Sequence, residues 1–319
     1  MKAFQLARFG DAPILTDIAL PEPGPGQIGV RIAACGLNFA DLLMLTGAYQ
    51  DTPALPFTMG MEVSGVVEAL GPGVGTPAIG TRVAVFSGQG GLAEAGVFDS
   101  ARAVPIPDAM SHEQAAGFLV AYGTSHLALT HRARLAPGER LVVLGAAGGV
   151  GLTAVELGAV LGAEVIAVAR GADKLAVARR AGAHHLIDSD TADLKAAIKA
   201  LGGADVVYDA VGGAAFDAAL RATRPEGRIL SIGFASGEVP KPPANLLLVK
   251  NLSVMGFYWG GYLDFAPDRL AASLSDLMAL FETGRITPHI SATFPLAQAA
   301  DALELLRSRK STGKVVVTI

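Results

Sequence analysis

GAAGGVG, at residues 145–151, is the stretch that decides the fold of this chain. It follows an apolar run, LVVL, and leads into a helical pattern over 152–161, so a glycine turn joins a strand to a helix. Amides at a helix N-terminus bind phosphate, and glycine lets the backbone approach a pyrophosphate closely. We therefore expect Gly148, Gly149 and Val150 to bind the pyrophosphate of a dinucleotide through their backbone amides.

The spacing G-x-x-G-x-x-G is weak evidence by itself, so the flanking residues have to support it. A second apolar run, EVIAVA at 164–169, ends ~20 residues past the glycines, where an acidic residue would bind the ribose hydroxyls of NAD. Arg170 follows this run, with Lys174 one helical turn further on, and both cations could pair with a 2′-phosphate. The alternative is that Arg170 and Lys174 are ordinary solvated surface charges. Asp173, which lies between them, slightly weakens the interpretation as a phosphate site. The predicted cofactor is NADPH.

Composition limits the classes of function. The chain has 319 residues, of which 51% are apolar, enough for one or two domains. The net charge of -4 gives no indication of a nucleic-acid or membrane partner. Cys35 is the single cysteine, which excludes an intrachain disulfide and fits a reducing compartment, so we expect a cytoplasmic location. Glu156 and Glu164 make the apolar region 141–169 read as a buried strand-helix-strand unit rather than a membrane span.

Two kinds of pattern divide the chain. Residues 1–118 read as short strands and turns, which suit a partly closed barrel or a sandwich. Residues 119–258 alternate strands with helices, which indicates a parallel sheet with right-handed crossovers. Residues 259–319 return to mixed patterns and are assigned to the first domain. The predicted fold class is α/β, with a Rossmann doubly wound parallel sheet inserted in a discontinuous β-rich domain.

Several motifs outside the glycine turn point to one family. They are CGLNFAD at 35–41, GMEVSG at 60–65, DVVYD at 205–209 and the segment 251–260. With the glycine turn, they resemble the zinc-independent quinone oxidoreductases of the medium-chain dehydrogenase/reductase superfamily, the relatives of zeta-crystallin, over nearly the whole chain. The resemblance implies a GroES-like catalytic domain, residues 1–118 and 259–319, and a Rossmann NADPH-binding domain, residues 119–258. It also implies a homodimer formed by edge pairing of the strand near Val254.

The metal ligands of the related zinc alcohol dehydrogenases are missing from this sequence. Those enzymes place a cysteine where Asn38 stands and a histidine where Met61 stands, and neither amide nor thioether is a plausible zinc ligand. One thiol, six scattered histidines and Glu62 show no ligand spacing. We therefore expect no metal, and Cys35 reads as a core residue.

Chemistry without a metal restricts the substrate and the catalytic groups. No metal polarises the substrate oxygen, so the acceptor must already be electrophilic or be stabilised by hydrogen bonds. Quinones and α,β-unsaturated carbonyls meet this condition. The resemblance places Asn38 at the nicotinamide and the substrate, while helix capping is the alternative or an additional role. Tyr49 reads either as a residue of the substrate pocket or as an ordinary half-buried tyrosine.

Further cofactor contacts are expected around the sheet. Ser189 is expected beside the 2′-phosphate. The resemblance implies Asn38, Thr124 and Arg309 as contacts, although Arg309 also reads as a solvated charge at a helix end. Ligands of open α/β sheets bind at the carboxyl ends of strands, and the candidates there are Val211, Ile232, Gly233, Phe234, Phe257, Tyr258 and Trp259. The backbone of the last three is expected at the carboxamide, with their rings over the pocket, in a dimer contact or in the core.

The predicted function is that of an NADPH-dependent, metal-independent reductase that transfers hydride to quinones or other activated conjugated carbonyls. Two alternatives remain. One is a dedicated reductase of enones, enals or enoyl thioesters, which the same residues would serve. The other is an NADPH-binding protein with little catalysis, as in zeta-crystallin relatives with structural or RNA-binding roles, although the acidic balance weighs against RNA. The expected partners are a small-molecule substrate and a second copy of the chain.

Overall fold

Sixteen β-strands and eleven α-helices form the chain in the computed structural model, which describes residues 1–319. The strands are β1 (Lys2–Leu6), β2 (Ile14–Asp17), β3 (Gln27–Gly36), β4 (Phe57–Thr58), β5 (Glu62–Leu70), β6 (Arg82–Phe86), β7 (Ala95–Asp99), β8 (Ala103–Pro105), β9 (Arg140–Leu144), β10 (Glu164–Ala169), β11 (His185–Asp188), β12 (Ala204–Asp209), β13 (Thr223–Ser231), β14 (Ser253–Gly256), β15 (Ile290–Pro295) and β16 (Lys314–Thr318). The helices are α1 (Phe39–Met44), α2 (His112–Ala116), α3 (Leu119–Leu127), α4 (Gly149–Val160), α5 (Ala172–Arg180), α6 (Leu194–Ala200), α7 (Gly213–Ala222), α8 (Ala244–Lys250), α9 (Tyr262–Phe265), α10 (Pro267–Glu282) and α11 (Ala299–Arg307).

Unit 1, the first of two compact units, consists of Met1–Val120 and Pro288–Ile319. Its larger sheet has the order β15-β16-β3-β5-β6-β8, and β7 also pairs with β3. A three-stranded sheet, β2-β1-β4, accompanies it. Neighbouring strands are antiparallel except for β15 and β16. Alternate residues at the start of β3 are buried, as the period of two in a strand with one face on the core requires.

Unit 2, Ala121–Thr287, is built on a six-stranded sheet. Every strand pair in it is parallel, and the order is β11-β10-β9-β12-β13-β14. Strands β9 to β11 therefore follow one another towards one edge of the sheet, and β12 to β14 towards the other. The switch point of this doubly wound sheet lies between β9 and β12. Leu141, Val142, Val143 and Leu144 of β9 are all fully buried because helices cover both faces of a parallel sheet. The predicted Rossmann domain is confirmed.

The segment 259–287 lies in unit 2, whereas the sequence analysis assigned it to the first domain. Helix α10 explains the difference, because it buries an apolar stripe that includes Leu270, Leu274 and Leu277. The hydroxyl of Ser273 on this helix lies 2.8 Å from Nδ1 of His126 on α3, in the same unit. The spacing of apolar residues predicts an amphipathic helix but carries no information about which core receives it.

Helix boundaries differ from the sequence expectations at a few places. Helix α4 begins at Gly149, three residues earlier than the apolar pattern indicated. Helix α3 ends at Leu127 and is followed by a π-helical turn, Ala128–Arg132. None of the helices combines the length and the apolar character that a membrane span requires.

Candidate active site and dinucleotide site

The glycine turn in unit 2 has the form of a phosphate-binding cradle. Gly145 has a φ of +74°, which favours glycine, and Gly148 occupies the N-cap position of α4. A Cβ on Gly151 would lie 2.1 Å from the carbonyl oxygen of Gly145, so only glycine allows helix and turn to approach this closely. The first amides of a helix, here Gly149 and Val150, lack acceptors four residues back and remain available for an anion. A dinucleotide pyrophosphate fits these residues.

Gly148 differs from its two neighbours in the turn. Its N–H donates to the carbonyl of Gly145 at 2.9 Å, so the turn already uses the amide that was expected to bind the pyrophosphate. Its exposed position and the absence of a side chain still leave room for a ligand to approach.

Main-chain hydrogen bonds connect the carboxyl ends of the sheet strands. Ala146 donates to Val168 at 3.0 Å. On the other side of the switch point, Ile232 donates to Asp209 at 2.8 Å, and Phe257 donates to Ser231 at 3.1 Å. The strand-end candidates therefore lie along one edge of this sheet, as expected for a ligand of an open α/β sheet.

The candidates for the 2′-phosphate follow two neighbouring strands. Ala169 and Asp188 are register partners at the ends of β10 and β11, so Arg170 and Ser189, the residues that follow them, leave the sheet side by side. Both are exposed, and Lys174 lies half-buried on α5. An adenosine phosphate that reached this edge would meet two cations and a hydroxyl.

Asp188 holds the loop on which these candidates lie. Its Oδ1 accepts from the amides of Asp190 and Gly171, each at 3.1 Å, and these bonds keep the pKa of its carboxyl below the usual range. The carboxylate ties the loop after β10 to the loop after β11. Backbone amides therefore stabilise the negative charge of Asp188 close to Arg170.

Asp209 organises the strand end beyond the switch point. Its Oδ1 accepts from the amides of Val211 and Gly212 at 2.8 and 2.9 Å. The side chain is fully buried, its Oδ2 has no hydrogen-bond partner, and burial raises the pKa of the carboxyl. Gly233 is half-buried nearby, and Phe234 is 40% exposed. Val211 can thus contribute its side chain to a ligand, while its amide is already bonded and its carbonyl accepts from the amide of Ser236 at 2.8 Å.

The aromatic residues after β14 are divided between core and surface. The rings of Phe257 and Trp259 are buried, and a Cβ on Gly123 would lie 2.6 Å from the indole nitrogen of Trp259. Phe257 packs on Tyr262 with ring centroids 5.5 Å apart. This packing supports the core interpretation for these two rings, while Tyr258 is 36% exposed.

Thr124, the candidate on α3, is nearly fully buried. Two residues earlier on this helix, the hydroxyl of Tyr122 donates to Glu156 on α4 at 2.5 Å. Burial and this carboxylate raise the pKa of Tyr122, so it stays a neutral donor within the fold. The helix is anchored beside the glycine turn through α4.

Asn38 lies in unit 1, where β3 gives way to α1, and its carboxamide belongs to a buried polar network. Its Nδ2 donates to Oε1 of Glu62 at 2.9 Å, and its Oδ1 accepts from Nζ of Lys314 at 2.8 Å. Lys314 and Glu62 form an ion pair of 2.5 Å and are only 6% and 1% exposed at their side chains. The second oxygen of Glu62 accepts from the amide of Val120 at 3.1 Å.

Strand register brings this network together. Gly36 pairs with Glu62 between β3 and β5, and with Val316 between β3 and β16. The starts of β5 and β16 therefore flank the end of β3, immediately before Asn38. A Cβ on Gly36 would lie 2.1 Å from the carbonyl oxygen of Ala116, so this crossing of the chain requires glycine.

Asp41 is hydrogen-bonded to the backbone of Asn38. Its Oδ2 accepts from the N–H of Asn38 at 2.8 Å, which closes the first turn of α1. Asp41 is fully buried, its Oδ1 has no hydrogen-bond partner, and burial raises the pKa of its carboxyl to about 7. The carboxyl supports the loop that carries Asn38.

The two remaining candidates of unit 1 lie on loops. Tyr49 is half-buried, and burial with the nearby charge of Asp51 raises the pKa of its phenol to about 12, so it remains a hydrogen-bond donor at neutral pH. Arg309 is exposed just beyond α11, with a φ of +55°. The structure thus places Asn38 and Tyr49 in unit 1 and the glycine-turn residues in unit 2.

A zinc ion does not fit the residues at the position where alcohol dehydrogenases bind one. The amide of Asn38 is already bonded to an ammonium group and a carboxylate, and Met61 is buried. No group of three or more His, Cys, Asp or Glu side chains is arranged to hold a metal ion.

Lys314 was not predicted from the sequence to belong to this site. A signal was present, because Lys314 opens the run KVVV, which reads as a buried strand, and a buried cation needs a partner. Glu62 was considered only as a metal ligand. The pairing of the two depends on strands that are 252 residues apart in the chain.

Two family models match the chain. The alcohol dehydrogenase GroES-like domain matches residues 24–108, and the zinc-binding dehydrogenase model matches residues 149–278. Quinone oxidoreductase-like protein 2 of Bos taurus is 41% identical over 312 residues, which are 96% of this chain and 89% of that protein. The chain belongs to the quinone oxidoreductase family of the medium-chain dehydrogenase/reductase superfamily. The resemblance found in the sequence motifs is confirmed.

Solved structures of this family have the same fold. The quinone oxidoreductase of Thermus thermophilus, determined also in complex with NADPH, is 36% identical, with a TM-score of 0.90 and complete coverage of both chains. The Escherichia coli quinone oxidoreductase in complex with NADPH is 29% identical, with a TM-score of 0.92 and complete coverage of both chains. The combination of a GroES-like and a Rossmann domain is therefore a property of the family.

Proposed function

We propose that this chain is a reductase that uses NADPH to transfer hydride to quinones or other activated conjugated carbonyls, without a metal ion. The observation that carries the proposal is the bonding of Asn38. At the position where zinc alcohol dehydrogenases have a ligand, this chain has a neutral amide held by Lys314 and Glu62. Such a site offers hydrogen bonds rather than a Lewis acid, which suits acceptors that are already electrophilic.

NADPH supplies the hydride, and the residues of unit 2 supply its binding and alignment. In this proposal the amides of Gly149 and Val150 bind the pyrophosphate, because the helix leaves them without internal acceptors. Arg170 and Ser189 follow two adjacent strand ends, and Lys174 lies in the first turn of α5, so in this proposal the three residues surround the 2′-phosphate. The NADPH complexes of the Thermus and Escherichia relatives support this cofactor.

Asn38 is the proposed donor to the acceptor oxygen. Its Nδ2 carries two protons, and Glu62 accepts one of them at 2.9 Å. The other has only a long contact of 3.4 Å, to the carbonyl of Gly36, so in this proposal it is the proton donated to a substrate oxygen. Tyr49 is the second proposed donor in the pocket, since its phenol stays protonated at neutral pH.

The test is NADPH consumption with a panel of acceptors: a benzoquinone, a naphthoquinone, an enone, an alkenal and a short enoyl thioester. We expect the quinones to be reduced fastest. Preference for the enone, alkenal or thioester would instead favour the dedicated reductase. Tight NADPH binding with no acceptor reduced would contradict the catalytic proposal and favour an NADPH-binding protein.

We also propose that the protein is a homodimer that pairs through β14. This strand is the last of its sheet, so one of its edges has no neighbour within the chain. Helix α8, which precedes it, exposes Leu248 and Val249 by 78% and 69%. Light scattering after gel filtration should give twice the 32.5 kDa of the chain, and a monomer at micromolar concentration would contradict the proposal.

A further inference from the structure

We propose that Lys314 is a positioning residue: with Glu62, it fixes the carboxamide of Asn38 in one orientation, so that an N–H rather than a carbonyl oxygen is presented to the acceptor. The inference rests on the proposed function, in which Asn38 donates to the oxygen of the substrate. It adds two residues, from β5 and β16, that act on the reaction through Asn38.

Hydrogen-bond chemistry allows only this orientation. A carboxamide has a donor end and an acceptor end of nearly equal shape, so its orientation depends on its neighbours. The ammonium group of Lys314 only donates, and the carboxylate of Glu62 only accepts. A reversed amide would direct its N–H groups at the ammonium and its oxygen at the carboxylate, and both contacts would be repulsive.

Burial strengthens the preference for this orientation of the Asn38 carboxamide. The side chains of Lys314 and Glu62 are 6% and 1% exposed, so water cannot replace the bonds that a reversed amide would lose. Hydrogen bonds to charged groups are stronger than neutral ones, and a low local dielectric increases the difference.

Neighbouring backbone holds both charged side chains in place. The amide of Val120 binds the free oxygen of Glu62 at 3.1 Å. The stem of Lys314 runs past Gly117, where an added Cβ would lie 3.1 Å from Cγ and 3.2 Å from Cε of the lysine. Glycine at this position leaves just enough room for an extended lysine side chain.

The first test compares kcat with a quinone in four proteins: the wild type, Asn38→Ala, the double variant Glu62→Gln/Lys314→Met, and the triple variant. The double variant keeps side-chain volume and leaves no unpaired buried charge, so it should fold. We expect it to lower kcat by about tenfold or more when Asn38 is present, and by less than about twofold in the Asn38→Ala background. The double substitution should change the Kd for NADPH by less than about twofold in each background, with or without Asn38.

A matched control lies on β5, the strand of Glu62, and on its neighbour β3. Arg31 and Glu68 form an exposed ion pair of 2.6 Å between β3 and β5. The control double variant, Arg31→Met/Glu68→Gln, should leave kcat unchanged. Equal losses of kcat from Glu62→Gln/Lys314→Met with and without Asn38 would overturn the proposal, because the pair would then act independently of the amide.

The second test does not depend on activity. The chain contains three asparagines, Asn38, Asn245 and Asn251, and the last two are exposed. Selective ¹⁵N-asparagine labelling therefore gives three side-chain amide groups, of which the Asn38→Ala variant identifies one. We expect the Nδ2 protons of Asn38 to exchange at least about tenfold more slowly than the other two pairs, and to lose this protection in Glu62→Gln/Lys314→Met.

The two tests separate the inference from the proposed function. If no acceptor is reduced but the protection of Asn38 depends on Lys314 and Glu62, the catalytic proposal fails and the positioning stands. Equal protection in the wild type and the double variant would overturn the positioning itself. Thermal unfolding of both proteins shows whether the comparison is made between folded chains.

Discussion

At the scale of single residues, the chain uses charge in two different ways. Around the ends of β10 and β11, Arg170 is exposed and available to a ligand. In unit 1, by contrast, Lys314 and Glu62 compensate each other away from water and act on a neutral amide. An exposed charge can bind a hydrated anion from solvent, whereas a buried pair of charges can hold a neighbouring group in one orientation.

Replacement of Arg170 by alanine should reduce the preference for NADPH over NADH. The guanidinium forms charge-assisted hydrogen bonds that only the 2′-phosphate can accept, and such bonds contribute about 1.5–3 kcal/mol, or roughly tenfold or more in Kd. Calorimetry should show weaker NADPH binding and unchanged NADH binding. Arg180→Ala, an exposed arginine at the end of α5, is the control. An equal loss of affinity for both dinucleotides would contradict the assignment.

Replacement of Asp41 by asparagine should flatten the dependence of stability on pH. Burial raises the pKa of Asp41 in the folded chain to about 7, above the ~3.9 of an unfolded aspartate. Its contribution to the unfolding free energy is therefore fully present below pH ~4 and is lost as pH rises through about 7. Asn cannot ionise, so urea unfolding at pH 5 and pH 8 should differ less in Asp41→Asn than in the wild type. An unchanged difference, or one altered equally by the exposed control Asp11→Asn, would contradict this account.

At the scale of elements, the segment β9–turn–α4 carries the proposed cofactor site. The apolar strand and the helix need close contact, and the glycines at 145, 148, 149 and 151 keep side chains away from four positions of the phosphate cradle. Gly151 is the tightest of these positions, since its Cβ would reach the Gly145 carbonyl. The same geometry frees the first helix amides.

Gly151→Ala should weaken NADPH binding by at least about tenfold and lower Tm. The new Cβ would lie 2.1 Å from the oxygen of Gly145, so turn and helix have to separate, and overpacking of this kind costs about 1–3 kcal/mol. Fluorescence titration and thermal unfolding measure the two effects. Gly75→Ala is the matched control, because no atom lies within 4 Å of its added Cβ. Normal NADPH affinity in Gly151→Ala would show that the cradle does not bind the cofactor.

At the scale of the whole molecule, the chain crosses between its units twice, after Val120 and after Thr287. Unit 2 is one continuous segment, whereas unit 1 is assembled from both ends of the sequence. Strand β16 comes from the C-terminal part and pairs with β3 from the N-terminal part. This pairing brings Lys314 to Asn38, which no local segment could do.

The proposed reaction does not depend on a metal ion. No group of three potential ligands exists in either unit, and the amide at the expected ligand position is bonded to Lys314. Prolonged dialysis against a chelator should therefore leave NADPH-dependent quinone reduction unchanged. A zinc alcohol dehydrogenase treated in parallel shows that the chelator works. Loss of activity that added zinc restores would contradict the metal-free mechanism.

The sequence by itself determined the features that depend on neighbouring residues. The glycine turn, the apolar runs of β9 and β10, the cation at Arg170 and the family motifs all lie within short segments, where periodicity and residue type fix the local structure. They were sufficient to predict the Rossmann sheet, the GroES-like domain and the cofactor.

Only the tertiary structure decided the features that depend on strand register and on packing between distant segments. It assigned 259–287 to unit 2, because an amphipathic helix does not specify the core on which it packs. It also joined Lys314 to Asn38, 276 residues away, because β16 and β5 flank β3 in one particular register. The burial of Lys314 and Glu62 beside Asn38 fixes the amide of Asn38 as a donor. Burial is a property of the folded chain alone.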